Sequence, residues 1–126
     1  MSTSVELPRE LESAAAARRA VDGLQLPDEL VGDVRLLVSE LVTNSLRHAS
    51  LDADDRIRLS VDVGSRRVRV EVVDQGPHFQ FEGRADDPDT VEGWGLYLVA
   101  TLSDRWGLDR DGHKATLVWF ELDRAA

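Results

Sequence analysis

The sequence predicts an α+β domain, a two-layer sandwich of a mostly antiparallel sheet with helices on one face. Three observations support this prediction. Residues 28–49 repeat apolar positions with the helical period, residues 57–63 and 68–74 alternate apolar and polar side chains, and residues 116–122 are rich in β-branched and aromatic side chains. Helices and strands are grouped along the chain rather than alternating regularly, which favours helices packed against one face of a sheet.

Composition restricts the class of protein. The chain has 126 residues, 42% hydrophobic and 31% charged, which is typical of a single globular domain, 1–126. It has no cysteine, so disulfides and thiolate metal sites are excluded, as suits a cytoplasmic protein. The net charge of −9 argues against direct nucleic-acid binding. The sequence has no run of about 20 apolar residues and no signal-peptide pattern, so no membrane partner is expected.

The first part of the chain is predicted to hold a tail and a helix. Residues 1–6 are expected to form a flexible tail. Pro8 suits the first turn of a helix, where its missing N–H costs nothing. The alanine-rich run 11–20 favours that helix. Gly23 and Pro27 then mark its end.

A second helix is predicted from Asp28 to Ala49. One face of it presents apolar and small side chains. Glu40, Asn44 and His48 follow one another at intervals of four residues, so they share a different face. The members of the apolar-to-small face are Val34, Val38, Leu41, Val42, Ser45 and Ala49.

The two alternating segments are predicted to pair as a hairpin. Gly64 and Ser65 supply the turn between them, and the second strand ends at Asp74. Residues 78–92 are rich in Asp, Gly and Pro without periodicity, which predicts a loop. A helix is then expected over 96–103.

The last part of the chain is predicted to form another hairpin. Residues 106–109 suggest a short strand, and Asp111 with Gly112 is a turn signal before the strand at 116–122.

The helical pair Glu40 and Asn44 suggests a nucleotide-phosphate site. The two side chains lie one turn apart, so a carboxylate and an amide oxygen can face one cavity. An amide oxygen suits Mg²⁺, which keeps waters and phosphate oxygens as its other ligands. A carboxylate there can accept a proton from an attacking hydroxyl. The alternative is a solvated helix face on which Glu40 pairs with Arg47, and His48 alone is more typical of a helix-end or packing residue than of a ligand.

Asp74 suggests the base-binding end of such a site. A carboxylate at the end of an apolar strand can accept a hydrogen bond from an exocyclic amino group, and Gly76 leaves room for a planar base. A simple strand-end turn remains the alternative, because Asp and Gly are common turn residues.

Two further segments could contribute to the site. Gly93, Trp94, Gly95 and Leu96 open a helix, and backbone N–H groups at a helix N-terminus bind phosphate. The alternative is an ordinary loop-to-helix junction. Thr116 lies in a strand, where its hydroxyl could bridge to Asp74 or to water. The alternative is that threonine occurs there only because it favours β-strands.

In this order, the motifs resemble the GHKL ATPase superfamily, which includes histidine kinases and gyrase-type ATPases. The resemblance covers about residues 28–122. The segments 40–49 and 103–107 are most similar to one branch, the small bacterial anti-sigma-factor serine/threonine kinases. The resemblance implies a Bergerat-type ATP-binding fold, ATP and Mg²⁺ as cofactors, and a protein that phosphorylates an anti-anti-sigma (STAS-type) partner and sequesters a sigma factor. It also implies a homodimer.

The resemblance assigns a role to each motif residue. Asn44 holds Mg²⁺ against the phosphates, and Glu40 is the general base. Residues 78–92 form the ATP lid. The remaining assignments are Asp74 to the adenine amino group, Gly76 beneath the ring, Thr116 in support through water, Gly93, Trp94 and Gly95 as backbone donors near the phosphates, Leu96 packed at the pocket and His48 at its edge.

Two departures from the family pattern leave catalysis open. The second glycine of the D-x-G-x-G segment is His78, which can either contact phosphate or narrow the site. The family's arginine near the G-x-G motif is missing, since Val91, Glu92 and Trp94 occupy that stretch. A non-catalytic docking module, with or without ATP, is therefore the main alternative to a kinase, and a domain without a nucleotide site is the third.

Overall fold

Five antiparallel strands and three helices make up the part of the chain that a computed structural model describes, namely residues 1–8, 10, 12–47, 56–74, 94–111 and 115–125. The sheet order is β1-β2-β3-β5-β4. The predicted α+β class with a mostly antiparallel sheet is confirmed. The elements are β1 (Ser2–Pro8), α1 (Ser13–Asp22), α2 (Asp28–Arg47), β2 (Arg56–Val63), β3 (Arg67–Asp74), α3 (Trp94–Leu102), β4 (Arg105–Asp111) and β5 (Ala115–Asp123).

The prediction of a flexible tail at residues 1–6 is wrong, because these residues belong to the edge strand β1. The strand pairs along the whole of β2, and the Met1 ammonium donates a hydrogen bond to the Val63 carbonyl at 3.0 Å. The alternation of apolar and polar residues in 2–7 is short, yet it suffices once a neighbouring strand is present. Leu7, at the end of that alternation, is only 5% exposed.

Pro8 ends β1 and does not open a helix. The helix α1 begins at Ser13, whose hydroxyl donates a hydrogen bond to the Pro8 carbonyl. A proline is tolerated at the end of an edge strand because its missing N–H interrupts no ladder there. The helix ends at Asp22, where the backbone N–H of Gly23 caps the Arg19 carbonyl.

The core lies between α2 and the inner face of the sheet. On α2 the predicted apolar stripe is buried as far as Ser45, and the helix is described to Arg47. Alternate residues of the three central strands meet it, and burying each large side chain contributes about 1.5–3 kcal/mol. These residues are Ile57, Leu59 and Val61 of β2, Val68, Val70 and Val72 of β3, and Val118, Phe120 and Leu122 of β5.

The predicted β2–β3 hairpin is confirmed, and it ends where Asp74 takes the inner-face position after Val72. Its turn is closed by a hydrogen bond of 2.9 Å from the Gly64 N–H to the Arg67 carbonyl. The helix α3 and the strands β4 and β5 are present, with bounds that differ from the predicted ones by one or two residues. The predicted turn at Gly112 lies outside the described residues.

The outer face of the sheet is charged, and its side chains contact one another across neighbouring strands. Glu121 of β5 forms ion pairs with three arginines, at 2.9 Å to Arg105, 3.2 Å to Arg69 and 3.4 Å to Arg67. The Arg69 guanidinium stacks on the Trp119 ring at 4.3 Å. None of the described helices is long and apolar enough to cross a bilayer.

Candidate functional site

Asn44 is buried in the last turn of α2, and its side chain is only 4% exposed. Neither the amide oxygen Oδ1 nor the amide nitrogen Nδ2 meets a hydrogen-bond partner within the described part of the chain. An amide buried without partners costs about 1–3 kcal/mol, so native proteins rarely keep one without a reason. A ligand that supplies the missing partners would explain why this side chain is kept.

Ser45, the next residue, was not predicted as a site residue. Its position on the apolar stripe indicated a small core residue, and it is indeed completely buried. Its hydroxyl also finds no hydrogen-bond partner among the described residues. A hydroxyl oxygen buried beside the unpartnered Asn44 amide is the signal that could have identified it, and this signal depends on tertiary burial that the sequence does not show.

Glu40 lies one helical turn before Asn44 and is half-buried. Its carboxylate makes no hydrogen bond or ion pair with any residue that the structure describes. The predicted alternative, a surface pair with Arg47, involves a side chain outside the described set.

Asp74 is completely buried at the carboxyl end of β3. It occupies the inner-face position that valines occupy at 68, 70 and 72. Placing a carboxylate at such a position has a large desolvation cost, and proteins accept this cost where the group has a specific partner or function. The burial agrees better with a binding residue than with a surface turn.

The register of the sheet places Thr116 of β5 directly opposite Asp74 of β3. Directly opposite residues in an antiparallel pair are nearest neighbours across the strands. The structure therefore brings together two residues that the sequence separates by a loop, a helix and a strand.

Two contacts between elements relate these strands to the helices. The helix α2, which carries Glu40 and Asn44, contacts both β3 and α3. The helix α3 begins at Trp94, two residues earlier than predicted, so Trp94 and Gly95 are its first residues and Leu96 follows in the first turn. The first backbone N–H groups of a helix have no intrahelical partner and can bind phosphate oxygens.

The remaining predicted site residues lie outside the described residues. They are His48, Gly76, His78, Gly93 and the expected lid at 78–92. Their assignments stay predictions.

Shifted pKa values occur on the outer face of the sheet. The pKa of the Glu121 carboxyl is lowered, chiefly by the hydrogen bond from Arg105. This carboxyl belongs to the outer-face ion-pair network, on the opposite side of the sheet from the buried Asp74.

Comparison with known proteins finds a family match over most of the chain. The profile of the histidine kinase-like ATPase domain matches residues 7–121. The chain is 32% identical to the serine-protein kinase RsbW of Bacillus velezensis over an alignment that covers 82% of this chain and 78% of that protein. It is 28% identical to the RsbW of Listeria monocytogenes serotype 4a over 80% of this chain and 74% of the relative.

A solved structure shares the fold. The crystal structure of the RsbU and RsbW domains of Rv1364c from Mycobacterium tuberculosis superposes with a TM-score of 0.73 at 17% sequence identity. The match covers 100% of this chain and 34% of the solved chain, so this chain spans about a third of that protein.

Proposed function

Because this chain belongs to the histidine kinase-like ATPase domain family, we propose that it binds ATP with Mg²⁺ and phosphorylates a serine of an anti-anti-sigma protein. By the same proposal, the unphosphorylated partner competes with a sigma factor that this chain sequesters. The similarity to serine-protein kinases over four fifths of the chain supports this assignment. A cytoplasmic location follows from it, because a sigma factor acts there.

The observation that most strongly supports the proposal is the buried Asn44 amide, which has no partner within the described part of the chain. An amide oxygen is a hard ligand of the kind that Mg²⁺ binds, with phosphate oxygens and waters completing its shell. When bound, Mg²⁺ neutralises charge on the phosphates during transfer. The amide nitrogen is free to donate to a phosphate oxygen at the same time.

Glu40 is proposed as the general base. Its carboxylate lies one turn from Asn44 and is not engaged by any described residue. In the transfer step, the oxygen of the partner serine forms a bond to the γ-phosphorus and the bond from that phosphorus to the β,γ-bridging oxygen breaks. The serine proton passes to Glu40, and ADP leaves with the electron pair of the broken bond.

Asp74 is proposed to select adenine. A buried carboxylate at the end of β3 can accept a hydrogen bond from the exocyclic amino group of adenine, whereas guanine presents a carbonyl oxygen at that place and would be repelled. Thr116, opposite in the register, is proposed to support the base through water. The N–H groups of Trp94 and Gly95 at the start of α3 are proposed to bind the phosphates.

Nucleotide binding is tested first by thermal unfolding with ATP and Mg²⁺. A ligand that binds only the native state stabilises it by about 2.7 kcal/mol at one hundred times its Kd. We expect ATP to raise the Tm of the wild type, GTP to leave it unchanged, and Asp74→Asn to abolish the response to ATP. An unchanged Tm at millimolar ATP, with no binding by calorimetry, would overturn the proposal.

Phosphate transfer is tested with labelled ATP. The organism's own anti-anti-sigma proteins serve as acceptors, each purified and assayed in turn. We expect Glu40→Gln to bind ATP like the wild type and to lose transfer by at least about a hundredfold, the usual contribution of a general base. Transfer by Glu40→Gln at the wild-type rate would remove Glu40 from the mechanism.

A non-catalytic docking module is the second candidate. It is favoured by His78 in place of the family's second glycine and by the lack of an arginine near Gly93 and Gly95. It predicts that the chain binds ATP and an anti-anti-sigma protein, yet transfers no phosphate at high protein concentration. The labelled-ATP assay distinguishes the two candidates.

A further inference from the structure

The exposed side of α2 carries a leucine that the described chain covers only in part. Leu36 is 41% exposed, whereas the apolar residues around it on the helix, Val34, Leu37 and Val38, are completely buried. The other large exposed apolar residues of the described chain are Met1 and Trp106, which lie outside the helices. Leu36 is therefore the one exposed large apolar side chain on a described helix.

Gly32 lies one turn before Leu36 on the same side of α2. A Cβ atom added at Gly32 would meet no atom within 4 Å, so no neighbour in the described chain requires a glycine there. Glycine inside a helix is less favourable than alanine by about a factor of five in the folding equilibrium. The missing side chain leaves a notch beside Leu36 in which another chain can approach the helix backbone closely.

The surroundings of Leu36 are acidic. Asp33, three residues before it, and Glu40, four residues after it, lie on the same side of the helix. Neither carboxylate forms an ion pair with a described residue. A partner that docks here would therefore complement the acidic surface with a basic side chain of its own.

The basic side chains closest along this region are already engaged. Arg35, the residue before Leu36, forms an ion pair through its Nε with Asp22 of α1 at 3.1 Å. Arg18 of α1 donates a hydrogen bond to the Ser39 hydroxyl at 2.9 Å. Neither arginine forms an ion pair with Asp33 or Glu40.

The surface formed by Gly32, Asp33 and Leu36 lies next to the proposed catalytic end of α2. Leu36 lies one turn before Glu40 and two turns before Asn44. If Glu40 accepts the serine proton, the acceptor serine must come to the Glu40 end of α2. The chain that flanks the serine must then lie on the neighbouring surface of the kinase.

We propose that Gly32, Asp33 and Leu36 form the docking surface for the phosphate acceptor, an inference that rests on the proposed function. The acceptor segment carries an apolar side chain that fits the Gly32 notch against Leu36. Next to it, a lysine or arginine pairs with Asp33. Docking in this register brings the acceptor serine to Glu40.

The test compares acceptor affinity with nucleotide affinity in full-length variants. Gly32→Leu fills the notch, Leu36→Ser removes the apolar contact and Asp33→Asn removes the charge. Arg66→Leu in the β2–β3 turn and Asp62→Asn on the outer sheet face are matched controls at exposed positions on other parts of the chain. The probes are the organism's purified anti-anti-sigma proteins, and the readouts are KM for transfer, Kd of the acceptor with ATP present, and Kd for ATP.

We expect Gly32→Leu and Leu36→Ser to raise the KM or Kd for the acceptor by roughly tenfold, as for central contacts of an interface. Asp33→Asn should raise it by about threefold and weaken its salt dependence. The affinity for ATP should stay within about twofold in every variant, which shows that the fold is intact, and both controls should bind the acceptor normally.

Three results would overturn the inference, and only the last of them also contradicts the proposed function. If the wild type binds or phosphorylates an acceptor and all three variants do so equally well, the docking surface lies elsewhere while the proposed function stands. The docking surface also lies elsewhere, and the proposed function stands, if the variants lose only the binding of a sigma factor and bind the acceptor normally. A wild type that neither binds nor phosphorylates any acceptor contradicts the proposed function and removes the docking surface with it.

Discussion

Asp74 and Thr116 lie directly opposite each other where β3 pairs with β5. Asp74 is fully buried, and Thr116 is proposed to support the base beside it through water. We expect Thr116→Val, which keeps the β-branched shape, to weaken ATP binding by roughly fivefold, the effect of about one hydrogen bond. Calorimetry with ATP and Mg²⁺ measures this, and Thr3→Val on the edge strand is the control. An unchanged affinity would exclude Thr116 from the site.

Because the Asn44 amide has no partner among the described residues, we expect its removal to abolish nucleotide binding without lowering the stability of the nucleotide-free protein. Without nucleotide, Asn44→Ala should leave the free energy of unfolding unchanged or raise it by up to about 1 kcal/mol, because it removes a buried polar group that has no partner among the described residues. With ATP and Mg²⁺ the variant should gain no stability. Urea unfolding with and without nucleotide measures both effects.

Val42→Ala is the matched control for Asn44, since it also truncates a buried residue of α2. It should lose about 1–3 kcal/mol in both conditions and still respond to ATP. If Asn44→Ala behaves like Val42→Ala, the Asn44 side chain is a packing residue.

Gly107 lies beneath the indole ring of Trp119. A Cβ atom at Gly107 would come within 2.5 Å of the indole nitrogen Nε1, so the ring, which also stacks under Arg69, would have to move. We expect Gly107→Ala to lower the free energy of unfolding by about 1–3 kcal/mol. The urea midpoint should recover in part when Trp119→Ala is added, because the clash then disappears.

Gly32→Ala should raise the free energy of unfolding, whereas Gly107→Ala should lower it. The added methyl group meets nothing within 4 Å, so only the helix propensity of alanine acts. The variant should be more stable than the wild type by about 0.5–1 kcal/mol in urea unfolding. Destabilisation would show that the space beside Gly32 is not open in solution.

The Glu121 network predicts an acid-sensitive contribution to stability. The pKa of the Glu121 carboxyl lies below its ordinary value of 4.5, chiefly because Arg105 donates a hydrogen bond to it, while partial burial opposes this and Arg69 adds a second bond. The contribution is fully present above pH 4.5 and is lost as the pH falls through the lowered pKa of the folded protein. Tm measured from pH 6 downwards should therefore fall less steeply in Glu121→Gln than in the wild type.

Glu12→Gln serves as the control for that measurement, because this exposed carboxylate makes no ion pair with the described residues. Its pH profile should follow that of the wild type. If Glu121→Gln also follows the wild type, the three arginines do not stabilise the folded state through Glu121.

The sequence predicted most of the secondary structure because the periods were strong. The alternation in β2 and β3 and the apolar stripe of α2 need no long-range information, and the structure has them within one or two residues. The edge strand β1 was missed because its alternation covers few residues, and four of the seven residues in the strand are serine, threonine or glutamate. Only the neighbouring β2 makes it a strand.

The candidate site likewise contains residues that the sequence predicts and one that it does not. Glu40, Asn44 and Asp74 were predicted from residue type, order and spacing, all of which the sequence contains. Ser45 could not be found, since a serine on an apolar stripe is indistinguishable from a small core residue until its burial without a partner is known.

By itself the sequence determined the elements other than β1, the inner and outer faces of each central strand, and the order of the motif residues along the chain. These are set by local patterns of side chains, which fix the period of an element but not its neighbours. The tertiary structure decided which strands pair, so that Ser2 lies beside Asp62 and Asp74 beside Thr116. It also decided that the Asn44 amide and the Ser45 hydroxyl are withdrawn from water, because burial depends on the packing of the whole sheet against α2.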